Sequence, residues 1–203
     1  MPVRPQEHAR IDLERHVPEI VDVVNAARDR YLREGAPMLH SLVGRTKCSL
    51  MRDLVVDGMR RWANGARGVQ YFRAGNLEWF GFDNDWIVRV KHVDHGFSAD
   101  VSPTVASDLY DRNVVPASIA TTLHTDADPT TLYLGLWEPD VAPDELHVAL
   151  VCPDVGDVPA WVWPLIGDGL PDVLPLPLPA PVEPTAPAVR VRLRRPARDE
   201  DVG

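Results

Sequence analysis

The 203-residue sequence predicts an α+β fold: two N-terminal helices packed on a mostly antiparallel sheet of about six strands, with an extended proline-rich C-terminal tail. Three observations carry that prediction. Apolar residues recur at helical spacing up to Trp62, they then alternate or cluster in six short runs, and prolines bunch after Pro153. With 45% hydrophobic and 25% charged residues, the chain can bury one substantial core. The expected organisation is a loosely ordered N-terminal segment at 1–17, a single α+β domain at 18–168, and a proline-rich linker with a basic tail at 169–203.

The first helix is predicted from Pro18, favoured in a first helical turn, to about Glu34, ahead of Gly35 and Pro37. Ile20, Val23, Val24, Ala27 and Tyr31 form its apolar stripe. The second is predicted with Ser49 as N-cap and Gly65 just past its end. Met51, Leu54, Val55, Gly58 and Trp62 line its buried face, where Gly58 permits another backbone to approach closely. The connection at 36–48 is too long for the tight turn of a helix-turn-helix.

Strands are expected at Val69–Arg73, Leu77–Phe82 and Trp86–Val93, with Ala74-Gly75-Asn76 and Asp83-Asn84-Asp85 between them at hairpin lengths. Ser102-Pro103 predicts a short helix through Tyr110, and 116–124 another turn or two. A second strand group follows at Thr131–Trp137, Leu146–Cys152 and Ala160–Trp163. The order α-α-βββ-α-βββ puts helices on one face of an antiparallel sheet. Past Gly169, seven prolines from Pro171 to Pro187 impose an extended backbone. Val189, Arg190, Val191, Arg192, Leu193 and Arg194 alternate apolar and basic, so this segment either adds to a sheet edge, its own or a partner's, or is a solvated tail.

Net charge is −9, unevenly spread. Residues 1–75 hold 13 basic against 9 acidic side chains, 76–188 hold 3 against 18, and 189–203 hold 5 against 3. The overall sign argues against nonspecific nucleic-acid binding, which rests on phosphate neutralisation. There is no apolar run of membrane-spanning length and no secretory h-region; Cys48 and Cys152 stand far apart. A reduced, cytoplasmic protein is therefore expected, with no cofactor and no metal. Arginine supplies 19 of 21 basic residues, and with the richness in Ala, Pro and Val this points to a high-GC bacterium or its phage.

Three motifs invite chemistry. Glu78, Asp83, Asp85 and Lys91 resemble the carboxylates and lysine of the PD-(D/E)xK nucleases, which hold a divalent metal beside an activated water. That resemblance implies a degenerate site, because Arg89 stands where the carboxylate two residues before the lysine belongs. A guanidinium there removes an oxygen ligand and repels the cation, while Asp83 and Asp85 also suit an ordinary hairpin turn. His92-Val93-Asp94-His95 has ligand types, but a strand points His92 and His95 to opposite faces. Arg45, Lys47 and Arg52 at a helix start could receive an anion, without the Gly-Lys-Ser/Thr order of a Walker A loop. No nucleophile elbow or dinucleotide fingerprint is present.

The expectation is a non-enzymatic interaction or regulatory protein, antitoxin-like or adaptor-like, with a protein partner and no membrane. A metal-dependent nuclease and an anion or small-ligand sensor are the alternatives. The sequence does not fix an oligomeric state.

Overall fold

Helical spacing of apolar residues turns the first third of the chain into one layer. In the computed structural model this layer comprises α1 (Gln6–Leu13), a single 3-10 turn (Glu14–His16), α2 (Val17–Leu39) and α3 (Gly44–Ala63). The structure describes residues 3–39, 41–74, 77–83, 85–99, 109–110, 112–114, 129–138, 145–154 and 158–167. The tail at 169–203, with Val189–Arg194, lies outside these residues, as do 116–124 and most of the helix expected after Ser102. None of the described helices is long and apolar enough to cross a membrane.

Six strands follow: β1 (Val69–Ala74), β2 (Leu77–Phe82), β3 (Trp86–His92), β4 (Thr130–Trp137), β5 (His147–Cys152) and β6 (Trp161–Ile166). They form one sheet in sequential order β1-β2-β3-β4-β5-β6. This is the predicted α+β architecture, mostly antiparallel. The exception is β3 with β4, which run parallel with Trp86 to His92 beside Thr130 to Leu136. Parallel neighbours need a crossover back along the sheet, and residues 93–129 supply it.

Alternation along the strands creates two cores. Phe80, Phe82, Trp86, Val88, Val90, Leu132, Leu134 and Leu150 meet Leu13, Ile20, Val24, Met51, Val55 and Met59 of the helical layer. On the other face, Trp79, Ile87, Tyr133, Ala149 and Val151 meet Val93, Phe97 and Tyr110 of the crossover. Each fully buried aliphatic or Phe side chain contributes about 1.5–3 kcal/mol relative to exposure. Because β3, β4 and β5 are covered on both faces, they read as continuous apolar runs.

Three helical boundaries differ from those expected. The segment expected to be loosely ordered, 1–17, is described from residue 3 and is helical from Gln6, with Ala9 and Leu13 buried. Polar contacts of long sequence separation fix them: Arg4 to Asp85 at 2.7 Å, Trp86 Nε1 to Asp12 Oδ2 at 3.0 Å, and Gln6 Nε2 to the Val162 carbonyl at 3.0 Å. Next, α2 continues past Gly35 to Leu39, since Pro37 removes one donor in the last turn only. Finally, α3 begins at Gly44, not Ser49. Extended Val43 makes no side-chain cap, and its carbonyl accepts from the Thr46 and Lys47 N–H groups at 3.0 and 3.2 Å.

Candidate functional site

The β2–β3 turn holds Asp83 and Asp85 against the N-terminal segment. Asp83 sits there in left-handed conformation (φ 51°), and its N–H donates to the Gly68 carbonyl at 2.8 Å. Gly68 is itself left-handed (φ 79°) and so close that a Cβ would collide with Asp83 Oδ1, which makes glycine a requirement. Arg15 Nη2 forms an ion pair with Asp83 Oδ2, and His16 Nε2 lies 3.5 Å from the same oxygen. His16 is buried against the edges of Trp62 and Phe82, with ring centroids 5.9 and 5.3 Å away. Arg15 Nε donates to His16 Nε2 at 3.1 Å, which leaves the proton of a neutral ring on Nδ1.

Glu78, Asp83, Asp85 and Lys91 do not converge. Asp83 pairs with Arg15 and Asp85 with Arg4, at the turn. Glu78 stands at the far end of β2, on the helical face with Phe80 and Phe82, and accepts from the Tyr71 hydroxyl at 2.8 Å. Lys91 belongs to the opposite face, its Nζ 6.0 Å from the centroid of Tyr133. A cation held by Asp83 and Asp85 would therefore have the whole sheet between it and Lys91. Arg89 is buried on that second face, its guanidinium carbon 5.8 Å from the Trp79 ring and 5.2 Å from the Tyr110 ring. Among the described residues, no three His, Cys, Asp or Glu side chains group as a metal would require. Asp94 instead caps its own turn, accepting from the Gly96 and Ser98 N–H groups at 2.8 and 2.9 Å.

The basic trio at the α3 start is likewise divided. Arg45 is exposed in the first turn, whereas Arg52 reaches β3, donating to the Val90 carbonyl at 3.2 Å and to Asp53 at 2.8 Å. Lys47 faces Glu138, a half-buried carboxyl just beyond β4. Burial raises the Glu138 pKa, with Arg28 and Lys47 pulling it back. The same burial, with Glu138 adding to it, raises the Tyr31 hydroxyl and Cys48 thiol.

A hollow of about 280 Å³ opens beside the β2–β3 turn, lined by Arg15, His16, Glu19, Trp62, Ala66 and Arg67. It offers an apolar wall, two guanidinium groups and an imidazole to a small ligand. Neither it nor the Glu138 cluster was read from the sequence, because each joins residues far apart in the chain. The single local signal was His16 and Val17 leading directly into Pro18, a first-turn proline. No family model, curated protein or solved structure matches this chain.

Proposed function

We propose that this protein works by binding another protein, as an adaptor or antitoxin-like regulator, and not by catalysis. The observation that carries this reading is how the carboxylates of the nuclease-like set are used. Asp83 and Asp85 anchor Arg15 and Arg4 of the N-terminal segment, and Glu78 takes the Tyr71 hydroxyl. These carboxylates serve the fold, on the opposite side of the sheet from Lys91.

The helical layer also presents large apolar side chains to solvent: Ile11 is 76% exposed, Val43 69% and Met38 54%. Arg10, Arg33 and Arg45 are exposed in the same basic segment. Methionine and arginine are enriched at protein interfaces, and a partner for these exposed apolar and basic side chains would carry an acidic rim.

Affinity purification from the native host at low and high salt tests the reading. A stoichiometric partner should be retained at low salt and weakened at high salt. It should be lost from a Met38→Glu/Val43→Glu variant whose circular dichroism melt is unchanged. Deleting 171–203 asks separately whether the tail contributes. Equal recovery by the double variant, or no stoichiometric partner, counts against the proposal. Mg²⁺- or Mn²⁺-dependent cleavage of DNA or RNA, abolished by Asp85→Ala and by Lys91→Ala, would replace it with the nuclease reading.

A further inference from the structure

We infer that the buried face of the sheet away from the helical layer carries a binding site for a small oxyanion, a phosphate or a carboxylate group, received by Arg89 and the indole N–H of Trp79. Neither Arg89 nor Trp79 belongs to the exposed surface on which the partner-binding proposal stands.

The backbone brings the two side chains together. Phe80 pairs with Val88 at the end of the β2–β3 ladder, and just beyond it the Arg89 guanidinium lies 5.8 Å from the Trp79 ring. Arg89 pairs in turn with Tyr133 of β4. A row of Trp79, Arg89 and Tyr133 thus crosses three strands on one face, beneath Tyr110, whose ring lies 5.1 Å from that of Tyr133.

Arg89 is 5% exposed, and what its guanidinium meets among the described residues is two aromatic faces, those of Trp79 and Tyr110. Rings attract a cation but accept few of its five N–H donors, so they offset only part of the cost of burying the charge. Trp79 supplies an independent observation. It is 1% exposed, and its Nε1 is the buried side-chain polar atom, among the described residues, that has no hydrogen-bond partner. Two adjacent residues, both more than nine-tenths buried, therefore present one donor in want of an acceptor, the Trp79 N–H, and one cation whose contacts among the described residues are aromatic rings.

Residues 76–188 hold 18 acidic against three basic side chains, and two of those three, Arg89 and Lys91, are placed together on this face of β3. An oxyanion would accept the planar guanidinium fork through two oxygens and the indole N–H through one. A neutral ligand would satisfy the donors and leave the charge.

The test is thermal unfolding of the full chain titrated with inorganic phosphate and with acetate at constant ionic strength, chloride serving as control. Either oxyanion should raise Tm by roughly 5–10 °C at 100 times its Kd, and chloride should not. A response to phosphate alone assigns a phosphate site, and one to acetate alone a carboxylate site. Trp79→Phe removes the N–H together with part of the buried indole, so it should weaken the responding anion by about tenfold, with its own stability read in chloride as the reference. Arg89→Lys should weaken it at least as much, and Arg15→Gln, in the separate hollow, should leave it unchanged. Should Arg89→Lys fail to fold, Trp79→Phe carries the test. Indifference of the wild type to both anions, or an undiminished response in Trp79→Phe, overturns the assignment. Anion indifference with strong destabilisation by Arg89→Met would identify an internal counterion instead, and overturns it too.

Discussion

Replacing Gly58 by alanine should have opposite effects in two backgrounds. In α3, Gly58 faces α2, and a Cβ added there would lie 2.7 Å from Val23 Cγ1 and 3.8 Å from the Val23 carbonyl oxygen. Comfortable carbon–carbon contact needs about 3.5–4.0 Å, so the helices or the valine must give way by nearly 1 Å. Valine is a poor candidate to yield, because in a helix it has one strongly preferred χ1 rotamer. Overpacking of this kind costs about 1–3 kcal/mol, while Gly→Ala inside a helix gains about 1 kcal/mol. Gly58→Ala alone should therefore be destabilising by about 0–2 kcal/mol. Val23→Ala removes Cγ1, and in that background the same Gly58→Ala substitution should stabilise by about 1 kcal/mol, a coupling of about 1–3 kcal/mol. Urea unfolding of the four proteins, followed by far-ultraviolet circular dichroism, measures all corners of the cycle. Equal stabilisation by Gly58→Ala in both backgrounds would refute the close-approach argument.

Three further outcomes are expected. Tyr110→Phe should cost about 1–3 kcal/mol in urea midpoints, since its buried hydroxyl lies 2.6 Å from the Leu132 carbonyl and 2.9 Å from that of Ile87; an unchanged midpoint would deny that link between crossover and sheet. Burial pushes the Cys152 thiol from 9.0 up to about 12, so a thiol reagent at neutral pH should reach it only on unfolding, and labelling of the native protein at this position would contradict its enclosure. Because the folded state keeps this proton longer than the unfolded chain, its contribution is complete below pH 9 and is lost as pH rises toward 12. The slope is about 1.4 kcal/mol per pH unit, and Cys152→Ala should flatten it; Tyr110, also raised by burial, acts in the same direction at higher pH. Mg²⁺ or Mn²⁺ should leave Tm unchanged to within about 1 °C, because a ligand stabilises only by binding the native state; a larger rise would show Asp83 and Asp85 leaving their arginines for a metal.

The strands were legible in the sequence because each is a short, dense run of β-branched and aromatic residues bounded by turn residues, and the observed bounds fall close to those read. Their direction was not legible, since alternation is identical in parallel and antiparallel pairs. The available clue was the length of 93–129, far beyond any hairpin. Helix starts were displaced for a related reason: Ser49 has the right chemistry for a cap, but the first turn at Gly44–Lys47 carries no apolar residue to announce itself. The N-terminal segment looked loose because what holds it lies in the sheet, with Asp12 on Trp86 and Arg4 on Asp85, separations that no local window spans.

Arg89 shows how one signal can be read at the wrong level. Compared with a nuclease motif, it is a ligand that is missing. Within Trp86-Ile87-Val88-Arg89-Val90, it is the single charge in a run that must be buried on both faces, a rare placement for arginine. Burial of this charge follows from the strand pattern alone, without any motif. It asks what receives the guanidinium, and the unpartnered Trp79 N–H beside it asks the same of a second donor. A charge retained in a core at such cost calls for an acceptor of opposite sign, a bound anion or an internal carboxylate, and the anion titration of the Trp79 and Arg89 variants separates the two.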